Sequence, residues 1–195
     1  MVVSRDTWWS SHVSGSTCRL LNLLVMPGGV PPAGGSGSGS QPCFVLVKPA
    51  TPPATDLALG KTVIDPGTWS ADYAPGYTVV RGVLCETSQT DCFCSSFAMT
   101  PFLTLDLASP RPVTTVVVRV SSFYPDYFHD VNVHVGDHGD DSDPLLTKYT
   151  GSAGRGEVLT LRGSSSLVGR YVSLFSKNVL SSRSLCLCLI QVYSV

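Results

Sequence analysis

Residues 101–136 read PFLTLDLASPRPVTTVVVRVSSFYPDYFHDVNVHVG and hold three strand candidates in a row. In the first, Leu103, Leu105 and Leu107 alternate with Phe102, Thr104 and Asp106. The second, residues 113–120, is rich in valine and threonine, whose branched Cβ favours extended backbone. The third alternates again: Val131, Val133 and Val135 share one face, Asn132 and His134 the other. Pro110 and Pro112 separate the first two and have no N–H to give a ladder, so a turn is expected there. Three strands with no helical period between them point to an antiparallel all-β core.

The composition outside this stretch agrees. The chain has 195 residues, of which 18 are Gly and 14 Pro, so turns are plentiful. Charged residues make up only 14% and the net charge is −1, which excludes electrostatic capture of nucleic acid. Seven cysteines stand at 18, 43, 85, 92, 94, 186 and 188, so at least one has no partner within the chain. Cys-x-Cys occurs twice, whereas zinc sites usually show Cys-x-x-Cys or a nearby His. Disulfides and an oxidising, extracellular setting are the expectation. No apolar run is long enough for a transmembrane span. The N-terminus lacks the pattern of a signal peptide, so a fragment or a misplaced start is expected.

Two regions are expected along the chain. Residues 1–55 include GGVPPAGGSGSGS at 28–40, a linker composition that has little to bury, and this segment is expected to be mostly disordered. Within it, residues 20–26 are candidates for two helical turns, and Phe44 to Val47 for a short strand. The domain proper is expected over 56–195, entered by a strand at 57–61. A loop-rich stretch follows at 62–100, with three cysteines in its second half. Further strands are expected at 145–149, 157–162, 169–176 and 184–195, making a sandwich or jelly roll of seven or eight short strands.

LALGK at 57–61, PFLTLDL at 101–107, VTTVVVRV at 113–120, VNVHVG at 131–136, GRYVSLF at 169–175 and LCLIQVYSV at 187–195 occur in one order. Together they resemble the F-type lectin (fucolectin) branch of the discoidin-like, coagulation-factor C-domain superfamily. The resemblance covers about residues 56–195. It implies a β-jelly-roll sandwich with a disulfide between Cys92 and Cys188, Cys94 being the rival partner. A bridge closing so long a loop is worth roughly 2–4 kcal/mol. The resemblance also implies sugar binding by loops at one end of the sandwich. There the family uses a His after the loop cysteine and two Arg on a later loop, which donate in fixed directions to sugar hydroxyls. Here Cys94 stands at the His position, the later loop has no Arg, and Arg119 lies one or two positions early. That loop carries Phe123, Tyr124, Tyr127 and Phe128 instead. Such rings stack on a sugar or insert among lipid headgroups, unless two of the four fill the core. The expected ligand-binding residues are therefore Arg119, Phe123, Tyr124, Tyr127 and Cys94.

A structural calcium ion (Ca2+) belongs to the same resemblance, held by an Asp-Gly-Asn-type loop and by an acidic residue after the late cysteine. Here the positions read Val80-Arg81-Gly82-Val83-Leu84 and Leu189, so a weakened or missing ion is expected. Asp65, Asp72, Glu86 and Asp91 are candidate substitutes. His129, His134 and His138 beside Asp130, Asp137, Asp140, Asp141 and Asp143 suggest a metal, but their spacing fits a solvated strand edge and an acidic turn better. No Gly-x-Ser-x-Gly, His-Glu-x-x-His or phosphate-cradling glycine loop occurs, so catalysis is not expected. The expectation is a non-catalytic extracellular module that recognises a glycan or glycoprotein. The alternatives are an adhesion module for protein or a membrane surface, and a structural domain of a larger mosaic protein.

Overall fold

The computed structural model describes residues 8–14, 17–23, 42–44, 55–82, 86, 88–177 and 182–194. Within the segment expected to be disordered, Trp8–Ser14 (β1), Thr17–Leu23 (β2) and Pro42–Phe44 (β3) form an antiparallel sheet in the order β2-β1-β3. The helical turns considered for 20–26 are therefore strand as far as Leu23. Beyond Phe44 the short strand considered there lies outside the described residues, as does the pairing of Cys18, Cys43 and Cys85.

The remaining strands are Thr62–Ile64 (β4), Phe93–Cys94 (β5), Phe102–Val120 (β6), Val131–Gly136 (β7), Leu145–Lys148 (β8), Val158–Ser176 (β9) and Cys186–Tyr193 (β10). Every ladder among the described residues is antiparallel. The entry strand expected at 57–61 is a turn instead. Gly60 takes a positive φ of 66°, and the chain pairs only from Thr62 onward. Asp56 ties that turn to the last strand, since its Oδ1 accepts from the amides of Ala58 (2.9 Å) and Val192 (3.0 Å).

Residues 108–112 do not reverse the chain as expected. β6 runs through them as one bent strand of 19 residues beside the equally long β9. Their ladder runs to Asp106↔Tyr171 and resumes at Arg111↔Gly169, so residues 107–110 bulge opposite Arg170 alone. Ala108 sits there at φ 71°, and Pro110 needs no ladder partner within a bulge. The register slips again between Val113↔Leu167 and Thr115↔Arg162, this time through residues 163–166 of β9. The two bulges turn the hairpin so that each strand serves both layers of a sandwich. One layer is β4, β6 (102–106), β9 (171–175), β7 and β8; the other is β5, β10, β6 (115–120) and β9 (158–162). Where β9 crosses the end of β7, a Cβ on Gly169 would stand 2.5 Å from the backbone of Gly136. Only glycine permits that approach.

The alternation seen in the sequence becomes the core. Leu103, Leu105, Val131, Val133, Val135, Val172 and Leu174 from the first layer are fully buried against Val116, Val118, Val120, Ile190 and Val192 from the second. His134 is also buried, although it lies on the other side of β7 from the valines. Loop 137–143 folds over that outer side: His134 Nδ1 bonds the Asp143 carbonyl at 2.7 Å, and Thr104 Oγ1 bonds that of Gly139 at 3.2 Å. The solvated strand edge expected for His134 is thus a covered one.

Candidate functional site

Both Cys-x-Cys pairs clasp one end of the sandwich. Cys92 is bonded to Cys188 and Cys94 to Cys186, with Cα separations of 4.4 and 4.2 Å. Cys186 and Cys94 face each other across the β10–β5 ladder. The pairing implied by the resemblance is present, and Cys94, its rival, has a partner of its own. Cys94 is fully buried, so its expected role at a ligand site is corrected: its sulfur is bonded and out of reach.

Beyond this clasp, hydrogen bonds sew three loops together and set the rings they carry. The Trp69 amide donates to the Cys94 carbonyl (2.9 Å), and Ser96 bonds the carbonyls of Gly67 (2.9 Å) and Thr68 (3.0 Å). This holds Trp69 edge-on to Phe97, with ring centres 4.8 Å apart. The Ala74 amide donates to the Thr90 carbonyl (2.9 Å), which brings Tyr73 beside residues 88–91. The third loop contains the 3₁₀ turn Pro125–Tyr127. Residues three apart eclipse in such a turn, so Tyr124 and Tyr127 stack, 19° from parallel at 5.7 Å. Trp69 meets both of them, at 5.4 and 5.7 Å, and stacks on Tyr73 at 5.4 Å. Phe97 is 45% exposed and Trp69 36%, so this five-ring cluster is a surface and not a core. Phe128 alone of the loop's four aromatics is fully buried, and Phe123 is exposed.

The polar part of this surface is a chain of neutral groups. Tyr73 and Tyr124 share a hydroxyl–hydroxyl bond of 3.2 Å, and the Tyr124 hydroxyl donates to Gln89 Oε1 at 2.8 Å. Burial, with the Tyr124 bond and Asp72 adding, pushes the Tyr73 phenol up to about 12, so it stays protonated. On its other side the 123–127 turn borders an open cleft of about 510 Å³, closed by Ala153, Gly154 and Arg155. Arg155 Nη1 donates to the Ser122 carbonyl at 3.2 Å.

Of the residues expected to bind ligand, Phe123, Tyr124 and Tyr127 line this cleft, and Arg119 does not. Arg119 lies under the loop, 3.7 Å from Glu86. Glu86 is itself nearly enclosed and accepts from Ser121 Oγ (3.1 Å) and from Ser122 N and Oγ (both 2.7 Å). The guanidinium expected to meet a ligand therefore neutralises a buried carboxylate instead. Sequence reading missed Trp69, Tyr73, Phe97, Gln89 and Arg155. The available signal was the number of aromatic residues in the long loop 62–100.

Of the positions that the resemblance gives to the ion, Leu189 is a buried apolar residue and a Cβ on Gly82 would meet Leu59 Cδ1 at 2.9 Å, whereas residues 83–85 lie outside the described residues. Of the proposed substitutes, Asp65 accepts from the Gly67 amide (2.8 Å), Asp91 from that of Ser88 (2.7 Å) and Glu86 as above, while Asp72 is exposed next to Tyr73. Glu86 also lies within 4.8 Å of both sulfurs of the Cys92–Cys188 bridge, but disulfide sulfurs offer no thiolate to a metal. Among the described residues the His and Asp groups of 129–143 do not converge as ligands. Asp143 caps its own loop, accepting from the Gly139 amide (2.8 Å) and from His138 Nδ1 (3.0 Å). Burial raises the Asp143 carboxyl, but these donors outweigh it and hold the group below its ordinary range.

The bent β6–β9 hairpin, the two layers it joins and the bridged loop end define a discoidin-type jelly roll, in the form found in F-type lectins. Among solved structures it matches an F-lectin from striped bass (Morone saxatilis) serum, with a TM-score of 0.63 at 19% identity over 72% of this chain. It spans about half of that protein, 49%. The lectin domain of lectinolysin, solved with Lewis B antigen, gives 0.58 at 15% identity, covering 72% of this chain and 97% of that one. A chitosan-binding module from Paenibacillus sp. IK-5 gives 0.50 at 17%, covering 72% and 99%. No family model matches the sequence, and no curated protein aligns with it. Among the described residues no helix is long and apolar enough to cross a membrane.

Proposed function

We propose that this chain is a non-catalytic carbohydrate-recognition module of the extracellular space, with the aromatic loop end as its sugar site. One observation carries the reading: three loops distant in sequence are bonded together so as to gather five rings, with Trp69 and Phe97 exposed and the three tyrosines half-buried, beside a hydroxyl chain and an open cleft. A pyranose offers an apolar C–H face and a rim of hydroxyls. Rings take the first, and Tyr73, Tyr124 and Gln89 take the second. The solved neighbours named above, from a serum lectin to a chitosan-binding module, support a sugar as ligand. Two disulfides support an oxidising compartment.

The site differs from a fucose pocket built on His and two Arg, because Cys94 and Arg119 are both committed to the structure. Recognition through rings and neutral hydroxyls requires no calcium. A glycan array that includes fucosylated ligands tests the proposal. Selective binding that is lost in Trp69→Ala/Tyr124→Ala is expected; uniform silence would overturn it. The second reading, a membrane-surface module, rests on the exposure of Phe97 and Phe123 at the aromatic loop end. Flotation with phosphatidylserine vesicles, unchanged in Tyr124→Ser/Phe123→Ser, would dismiss it.

A further inference from the structure

We propose that the site takes a neutral oligosaccharide of at least two sugar units, laid across the 123–127 turn. One unit lies against Trp69 and Tyr73, and the next is held by Arg155. This rests on the carbohydrate reading above and deepens it.

The first argument is continuity. Tyr124 and Tyr127 belong to both halves of the site: they pack against Trp69 on one side and line the Arg155 cleft on the other. A ligand seated on either half therefore reaches the other without leaving the tyrosine rings. A cleft of about 510 Å³ added to the exposed ring surface is more than one pyranose fills.

The second argument is the distribution of donors and acceptors. A tyrosine hydroxyl has one hydrogen and two lone pairs. Tyr73 gives its hydrogen to Tyr124, and Tyr124 gives its own to Gln89, which leaves lone pairs on both phenol oxygens. The first half thus offers phenol lone pairs to the O–H donors of a sugar, beside the N–H donors of the Gln89 amide and the Trp69 indole. The second half presents donors. Arg155 spends Nη1 on the Ser122 carbonyl, and its other N–H groups have no partner among the described residues. A single sugar seated on the first half leaves this guanidinium unused.

The third argument is charge. Asp72 stands beside Tyr73, and Asp126 lines the cleft with Arg155. A carboxylate-bearing unit meets Asp72 and phenol lone pairs on one side. On the other it meets Asp126 as well as Arg155, which line the same cleft. Hydroxyls meet neither penalty.

Titration calorimetry on the full chain tests this, with galactose, N-acetylglucosamine and fucose set against lactose, chitobiose and 2′-fucosyllactose, and sialyllactose as the acidic counterpart. At least one neutral oligosaccharide is expected to bind about tenfold or more tighter than any of its component monosaccharides, and sialyllactose about tenfold more weakly than lactose. Arg155→Ala is expected to erase most of the gain from the second unit, so that the oligosaccharide falls back toward its component monosaccharide, whereas Trp69→Ala weakens monosaccharide and oligosaccharide binding alike. Monosaccharides binding as tightly as the oligosaccharides, or sialyllactose binding tighter than lactose, would overturn this inference and leave the carbohydrate reading standing. No binding by any of these sugars, with a silent array, would overturn both.

Discussion

Glu86 and Arg119 show how a residue positioned for function is taken up by structure. The carboxylate accepts three hydrogen bonds from Ser121 and Ser122 and neutralises Arg119, so it anchors the loop that presents Tyr124 and Tyr127. Glu86→Gln leaves a largely buried guanidinium without its counter-charge and costs about 2–4 kcal/mol, read as a lower urea midpoint. Asp106 behaves differently. Arg170 Nε and Nη2 bond its two oxygens at 2.8 and 2.7 Å, and this grip lowers its carboxyl to about 2 from an ordinary 3.8. A depressed folded value means the pair stabilises the fold fully above the unfolded value and loses that contribution as pH falls from 3.8 toward 2. Asp106→Asn is therefore expected to lower the urea midpoint at about pH 6 and to converge on the parent near pH 2. An unchanged gap between the two proteins across that range would refute the assignment.

At the scale of elements, the β6–β9 hairpin and the double clasp carry the architecture. Ala108 occupies a left-handed conformation inside the β6 bulge, which a Cβ disfavours. Ala108→Gly is expected to raise stability by about 1 kcal/mol in chemical unfolding, and a loss would show that the bend is made some other way. The clasp makes a sharper claim. Digestion without reductant and mass spectrometry should recover Cys92 linked to Cys188 and Cys94 to Cys186, not the crossed pairs. Replacing Cys92 and Cys188 together by Ala removes a constraint spanning 96 residues and is expected to cost roughly 2–4 kcal/mol. The same clasp holds the Cys94 carbonyl that receives the Trp69 amide. The double variant should therefore also weaken glycan binding in calorimetry.

At the scale of the whole molecule, the domain is a sandwich closed by apolar packing and sulfur bridges, with Leu189 buried where the resemblance called for an acidic ligand to calcium. EDTA is accordingly expected to leave the thermal midpoint and glycan binding unchanged, and a midpoint several degrees higher with millimolar Ca2+ would contradict this. The strands of the central stretch were legible in the sequence because side-chain alternation is a period of two carried by consecutive residues: Leu103/Leu105/Leu107 and Val131/Val133/Val135 announce their buried face without reference to the rest of the chain, whereas the short strands of residues 8–23 and 62–64 carry no such run. The aromatic character of the 123–128 loop was legible for the same reason. Tertiary structure alone decided the rest. It ran β6 through two prolines by means of a bulge, placed a second bridge at Cys94, covered His134 with a loop, and withdrew Arg119 to Glu86. It also brought Trp69, Tyr73 and Phe97 to Tyr124 and Tyr127. The physical reason is that a local period states which way a side chain points, whereas a contact depends on where the chain returns, and no spacing along this sequence encodes that.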